Sequence, residues 1–307
     1  MKLLKQEVVK TLLYFDIFSF PLKQEEIHRF CQVKVNQAGI AATLDELEEE
    51  GQLQQHGPYY AMREGKRLAR LREQKFTLST EKMKTARKNA AFISQFPFVR
   101  GVAISGSLSK YAADESADID FFIITKAQRL WICRSFLHCF KKLTFLFGKQ
   151  HDFCMNYFLD EDELALKDRN LYTAFESLSI IPVFGSKVHR AFYEKNKWAK
   201  EFFPNCDPSK YLQEPLLDEH NLLKRIFETL FHGQWGNWVN QNIQKITVSW
   251  WRKKFERRGF EMAFFDKDLR ATTGESKYHP NDYQRTILSA YEERLRHYQV
   301  MSFTPDL

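Results

Sequence analysis

The sequence of 307 residues predicts an α+β fold made of three regions, residues 1–62, 63–203 and 204–307. Apolar residues recur at helical spacing in the first and last regions. The middle region contains short apolar runs of strand length that are bounded by glycine and by polar turns. The strands that this pattern predicts therefore lie mainly in the middle region, between a front region and a last region rich in helix.

The first region has the order of a winged-helix module. Apolar side chains from Leu4 to Phe15 are spaced as on one helix, and a second helical stretch follows Pro21. A third helix is predicted over about 36–50, and residues 53–62 predict two short strands around a Gly-Pro turn. Three helices followed by a β-hairpin indicate a winged-helix-like module over residues 1–62.

The third helix of this module is acidic. In a winged helix it is the element that normally reads the major groove of DNA. Here the helix ends in Asp45-Glu46-Leu47-Glu48-Glu49-Glu50, whose five carboxylates would repel phosphates. The sequence therefore favours a packing or partner-binding module over a DNA-binding one, although DNA binding through this module remains the alternative.

The middle region predicts helices and strands in alternation, and the last region predicts helices. The predicted middle elements are a helix over 64–95, a strand over 101–105, a short helix over 108–113, a strand over 118–124, a helix over 128–147, a strand over 152–159 and helical structure over 161–199. The last region predicts helices over about 221–260 and 280–298, with Trp235, Trp238, Trp250 and Trp251 among their bulky side chains.

The middle region carries the residues whose chemistry is most specific. An apolar strand ends at Gly106-Ser107, where the absence of a side chain lets the backbone approach phosphate oxygens and a hydroxyl is available. Ser109 and Lys110 can add further phosphate contacts. Asp118 and Asp120 lie two apart on the next predicted strand, so we expect both carboxylates on one face, as ligands for Mg²⁺ or Mn²⁺. The alternative is that Gly106-Ser107 only forms a turn and the aspartates only cap a strand.

This spacing resembles a known superfamily. Gly106-Ser107 followed by Asp118-Ile119-Asp120 is similar to the signature of the DNA polymerase β-like nucleotidyltransferases. The resemblance covers the middle region alone and suggests an uncharacterised bacterial branch. It implies a small mixed sheet flanked by helices, a nucleoside triphosphate as substrate with bound Mg²⁺, and transfer of a nucleoside monophosphate to an acceptor. The acceptor, which can be a small molecule, a protein or an RNA, is not determined by the sequence.

The resemblance also implies a third carboxylate on a later strand. Asp152 is the acid that fits chemically, but it lies at the start of the predicted strand. Asn156 occupies the middle of that strand, and an amide cannot act as a general base. The catalytic set implied is Asp118, Asp120 and Asp152, with Asn156 as the other occupant of the third position. Glu176 is an acid that can face the same cleft, while His138 and His151 have no partner visible in the sequence.

Three function hypotheses follow, and the intact Gly-Ser and Asp-x-Asp residues argue against the third, an interaction protein that keeps only the fold. The first is a Mg²⁺-dependent nucleotidyltransferase. The second is a nucleotide-binding regulatory protein with a degenerate transferase core, whose winged-helix module binds a partner or DNA. The net charge of +7 is compatible with anionic partners of either kind. Five cysteines without Cys-x-x-Cys spacing, and no apolar run of membrane-spanning length, favour a cytoplasmic protein that does not enter the membrane.

Overall fold

A computed structural model describes residues 2–148, 150–212, 222–259, 270–277 and 283–300. The ends of the last two predicted helices, at residues 221, 260 and 280–282, lie outside these ranges. The predicted α+β fold is confirmed: a mixed six-stranded sheet and a small three-stranded sheet are surrounded by helices.

The first region folds as three helices and a small antiparallel sheet. Its elements are α1 (Lys2–Asp16), β1 (Leu22–Lys23), α2 (Gln24–Phe30), α3 (Gln37–Glu49), β2 (Gln54–His56) and β3 (Tyr59–Ala61). The strands are ordered β1-β3-β2, and β1 is a two-residue strand that the sequence did not predict. The Asn36 side chain caps α3 by accepting a hydrogen bond from the backbone N–H of Gly39 at 2.8 Å.

The large sheet is built from strands of the middle region, and the last region adds two more strands at one side. The elements of the middle region are α4 (Gly65–Ser94), β4 (Val99–Ile104), β5 (Asp120–Thr125), α5 (Leu130–Thr144), β6 (Cys154–Asp160), α6 (Leu171–Ser179), β7 (Ile181–Phe184), α7 (Ser186–Lys195) and α8 (Ala199–Phe202). Those of the last region are α9 (Leu222–Leu230), α10 (Gly233–Arg257), β8 (Arg270–Ala271), β9 (Glu275–Lys277) and α11 (Tyr283–His297).

The strands of the large sheet are ordered β7-β4-β5-β6-β9-β8. β5 and β6 are parallel, and the other neighbouring pairs are antiparallel. β5 is central, and its apolar side chains alternate between two cores: Phe122 and Ile124 join one, Phe121 and Ile123 the other. The first core contains the first region with α6 and α11, and the second contains α4, α5 and α10, so the sheet is covered on both faces.

Several predicted elements differ from the structure. Residues 161–199 contain the strand β7 between α6 and α7 and are therefore not wholly helical. The predicted helix over 108–113 is a single 3₁₀ turn at Leu108–Lys110, because Tyr111 adopts a left-handed backbone with φ of 53°. The predicted strands over 118–124 and 152–159 begin two residues later than expected, at Asp120 and Cys154.

Within the described ranges, no helix has both the length and the apolar character that crossing a bilayer requires.

Candidate functional site

The candidate site begins where Gly106 lies against Asp120. Gly106 follows β4 with φ of +63°, and a Cβ placed on it would lie 2.3 Å from Oδ2 of Asp120. The backbone N–H of Ser105 donates to the carbonyl of Asp120 at 2.9 Å, which holds the two segments together. Glycine is therefore required at position 106 for two reasons, the left-handed backbone and the close approach of the carboxylate.

The turn after Gly106 is held by its own side chains. Ser109 Oγ and Lys110 Nζ both donate to the carbonyl of Gly106 at 2.9 Å, and Lys110 Nζ also pairs with Oε2 of Glu176 at 2.9 Å. Ser109 and Lys110, two of the residues predicted to bind phosphate, thus contact the protein itself in this structure. Only one 3₁₀ turn follows Ser107, so no α-helix begins at this point.

Asp120 is a buried carboxylate with a raised pKa. Burial is the largest cause, and the neighbouring charge of Asp118 adds to it, so that the pKa rises from 3.8 to about 6. The thiol of Cys154, on the adjacent strand β6, hydrogen-bonds to the Asp120 carboxylate, and the charge of Lys110 acts in the same direction; both partly offset the rise. Burial also raises the pKa of Cys154 to about 12, so the thiol keeps its proton and donates.

Asp118 lies just before the strand that begins at Asp120. It precedes β5 and is substantially exposed, and its Oδ1 lies 2.5 Å from Nδ1 of His151. The prediction that both aspartates project from one strand is therefore wrong, because the strand begins only at Asp120. Asp118 is thus the partner of His151 that the sequence did not show. The backbone N–H of Ile119 also donates to the carbonyl of His151, which holds the two segments side by side.

The structure separates the two candidates for the third position. Phe121 pairs with Met155 and Phe122 with Tyr157, so Asn156 lies in a bulge of β6. Its Nδ2 donates to Sγ of Cys154 at 2.9 Å, and through that thiol Asn156 is connected to Asp120.

Asp152 lies elsewhere, in a 3₁₀ turn before β6. It lines a cavity of about 370 Å³ together with Lys82, Glu115 and His151. Asn156 is therefore the candidate that the structure connects to Asp120, and Asp152 borders a neighbouring cavity.

We call Asp118, Asp120 and Glu176 the carboxylate cluster. Asp118 and Glu176 both raise the pKa of Asp120, and Lys110 is the cation among them. A carboxyl group with a pKa of about 6 can give up or take up a proton near neutral pH.

The carboxylates of this cluster are already engaged by neighbouring protein groups. Across the described residues, no three His, Cys, Asp or Glu side chains converge as a metal-binding group. The Asp120 carboxylate is hydrogen-bonded by a thiol and Asp118 is engaged by His151. These residues do not form a complete ligand set for Mg²⁺ or Mn²⁺, so the binding of either ion remains a prediction.

The chain is similar to known transcription proteins over part of its length. It is 36% identical over 101 residues to the transcription elongation factor GreA of Rhodococcus erythropolis, which is 32% of this chain and 56% of that protein. It is 34% identical over 100 residues to GreA of Mycobacterium leprae and 35% identical over 101 residues to GreA of Mycobacterium tuberculosis. The chain thus spans little more than half the length of these relatives. No known family model and no solved structure matches it.

These relatives correct the function that the sequence predicted. They are named as transcription elongation factors, which points to transcription-related regulation rather than to nucleotidyl transfer. The prediction of a Mg²⁺-dependent nucleotidyltransferase is therefore wrong, and so is that of an ATP-binding protein. The alternative of a regulatory protein agrees with these relatives in the kind of process, and its nucleotide binding remains a prediction. The spacing of Gly106 and Asp120 predicted a close approach of two segments, but it did not identify what the site does.

Proposed function

We propose that this chain regulates transcription at the elongation stage. The observation that carries the proposal is the similarity to transcription elongation factors, at 34–36% identity over 100–101 residues. The matched length is about a third of this chain, so the proposal concerns the class of process in which the chain takes part.

The geometry of the first region supports a regulator that contacts a protein. The third helix of the winged-helix-like module, α3, buries Ile40, Leu44 and Leu47 and leaves Asp45, Glu48 and Glu49 exposed. An acidic exposed face repels nucleic-acid phosphates and attracts a basic protein surface. We therefore infer a protein component of the transcription apparatus as the partner of α3.

The acidic face is held in place by its neighbours. Lys5 of α1 pairs with Glu46 at 2.7 Å and with Glu50 at 2.6 Å, and α3 packs through Leu44 and Leu47 into the core of the first region. Because Asp45, Glu48 and Glu49 project from a helix fixed in this way, their charges are presented in a defined arrangement.

A transcription assay on a template with defined pause sites tests the proposal. Adding the purified full chain to a reconstituted elongation complex should change the lifetime of paused transcripts at least about twofold, a free-energy change of roughly 0.4 kcal/mol or more. Unchanged pausing and read-through at saturating protein would contradict a role in elongation.

A pair of charge-reversal variants tests the contribution of α3. Glu48→Lys with Glu49→Lys should abolish the effect on pausing, because both changes reverse charge on the exposed acidic face. Glu292→Lys with Glu293→Lys makes the same change at two exposed, adjacent acids of α11 and should leave the effect intact. Equal loss in the two double variants would show that net charge, rather than the face of α3, matters.

A further inference from the structure

A row of large aromatic side chains is exposed along α10. Trp235 is 58% exposed, Trp238 57% and Trp250 58%, and Ile246 between them is 70% exposed. The buried side of the same helix carries Gly236, Asn240, Trp251 and Phe255. Exposed tryptophans that are grouped on one helix are typical of an interaction surface.

These residues share one stripe of the helix. From Trp235 the stripe continues through Trp238, Ile246, Trp250, Lys253 and Arg257, at separations that keep successive members on one side of an α-helix. Its aromatic part, from Trp235 to Trp250, extends for about 22 Å at a rise of about 1.5 Å per residue. We call these six residues the tryptophan face.

The aromatic rings have the arrangement of a stacking platform. The rings of Trp235 and Trp238 are stacked, with centroids 5.2 Å apart and planes at 21°. The ammonium of Lys254 lies 5.2 Å from the centroid of the Trp250 ring. A stacked indole pair can accept another flat ring on its outer surface, and a cation beside an indole favours an anionic ligand there.

The charge around the face is positive. Lys245, Lys253 and Arg257 are exposed on or beside the stripe, and Arg258 follows the helix. Glu256 is the single acid within α10. The surface is therefore complementary to an anionic partner that also carries flat rings.

We propose that the tryptophan face binds single-stranded nucleic acid, with bases stacked on the tryptophans and phosphates paired with the basic residues. Single-stranded segments are bound in this way because their bases are free to stack, whereas the bases of a duplex are already stacked. A membrane surface fits less well, because Lys253 and Arg257 lie on the same stripe as the tryptophans and would be carried into the acyl region. The proposal goes beyond the transcription role and does not depend on it.

Binding of short oligonucleotides to the full chain tests the proposal. Fluorescence anisotropy with a labelled oligo(dT) or oligo(U) of about 20 nucleotides, long enough to span the face, should show binding that weakens as salt is raised. Trp235→Ala with Trp238→Ala should weaken binding at least about tenfold, and Trp235→Phe with Trp238→Phe by less, because phenylalanine still stacks. Lys253→Ala with Arg257→Ala should reduce both the affinity and its dependence on salt.

Matched variants on α4 serve as controls. Phe76→Ala removes an aromatic ring that is 42% exposed, and Arg70→Ala with Lys88→Ala removes two exposed cations from the same helix. Both should leave the affinity for oligonucleotides within about twofold of the wild type, because neither touches the tryptophan face.

Four outcomes would overturn the proposal. They are the absence of oligonucleotide binding, equal affinity for single strands and duplexes, unchanged affinity in the double tryptophan variant, and binding to anionic phospholipid vesicles without binding to oligonucleotides. The assay contains no transcription components, so its failure leaves the proposed role in elongation untouched. The Glu48→Lys, Glu49→Lys variant should bind oligonucleotides as well as the wild type does.

Discussion

The carboxylate cluster and the tryptophan face are built in opposite ways. The cluster centres on Asp120, which is buried against Gly106 and hydrogen-bonded by Cys154, and the side chains of Ser109 and Lys110 beside it contact the protein. The tryptophan face lies on the outer side of α10, where its three tryptophans are each more than half exposed and Trp235 stacks on Trp238. The first is held by its own contacts, and the second is available to a partner.

This difference shows what a sequence motif can and cannot tell. The Gly106 and Asp120 motif is short and specific, and it places two segments correctly, yet the function inferred from it is contradicted by the relatives of the chain. The tryptophan face has no motif and is recognised only from exposure, spacing and charge. Substitutions at the cluster should therefore change stability, whereas those on the face should change binding alone.

Gly106→Ala should have the largest effect. The new Cβ would lie 2.3 Å from Oδ2 of Asp120 on a backbone with φ of +63°, so we expect a loss of about 4 kcal/mol in the free energy of unfolding. Gly57→Ala is the control, because Gly57 has φ of +58° but no atom within 4 Å of its Cβ position; it should lose about 1 kcal/mol. Urea denaturation measures both.

A second variant separates the clash from the backbone strain. Asp120→Ala removes the carboxylate that the new Cβ would meet, so Gly106→Ala should cost less in that background than in the wild type. Equal losses in the two backgrounds, or equal losses for Gly57→Ala and Gly106→Ala, would show that the approach of Asp120 does not determine the cost.

Asp120→Asn should stabilise the protein, and more so at higher pH. The folded-state pKa of about 6 lies above the ordinary 3.8, so between these values the unfolded chain ionises while the folded protein stays protonated. Asp120 therefore lowers the stability of the wild type as pH rises through this window, by up to about 3 kcal/mol above pH 6, and the variant lacks this contribution.

The measurement is the free energy of unfolding at several pH values. The difference between Asp120→Asn and the wild type should be near zero below about pH 4 and reach its plateau near pH 7. Asp45→Asn, at an exposed carboxylate of α3, should differ from the wild type by less than about 0.5 kcal/mol throughout. A difference that does not vary with pH would rule out a raised pKa at Asp120.

Arg129→Ala should have an intermediate effect, because Arg129 attaches the helix that carries the tryptophan face. Its guanidinium donates to the carbonyls of Phe231 at 2.8 Å and Gly233 at 3.0 Å, and to Oδ1 of Asn237. Losing these bonds at a buried side chain should cost about 2 kcal/mol. Hydrogen exchange should rise first in α10; uniform exchange across the chain would contradict a local role.

Trp238→Ala should have the smallest effect on stability. The side chain is 57% exposed and stacks on one neighbour, so the free energy of unfolding should change by less than about 0.5 kcal/mol. Thermal unfolding of the variant and of the wild type measures the change. A loss of more than about 2 kcal/mol would mean that Trp238 packs as a core residue and is not available to a partner.

The helices were predictable because their apolar spacing is regular, and the third helix, α3, also has a clear cap at Asn36. The strand β7 could not be predicted, because Pro182 within Ile181–Phe184 argues against a strand. Proline is tolerated there because β7 is an edge strand of the large sheet. The strands β8 and β9 are two and three residues long, too short to show an alternating pattern.

The candidate site was predictable in part for the same physical reasons. The approach of Gly106 to Asp120 can be inferred from the order of a strand, a turn at Gly106 and a second strand at Asp120. The contact of His151 with Asp118 depends on β5 and β6 being parallel neighbours, and the link from Asn156 to Asp120 depends on a bulge and an intervening thiol. Which strands pair, and where a strand contains a bulge, cannot be inferred from a single sequence.

The pairing of β9 with β6 in the large sheet has a consequence for synthesis of the chain. β6 ends at Asp160, while β9, which pairs with it, begins roughly a hundred residues further along. Until the ribosome has released that later segment, β6 presents an unpaired edge to other chains. Stalled synthesis or truncation before residue 277 should therefore produce chains that associate edge to edge, and a chaperone that covers this edge should raise the yield of folded protein.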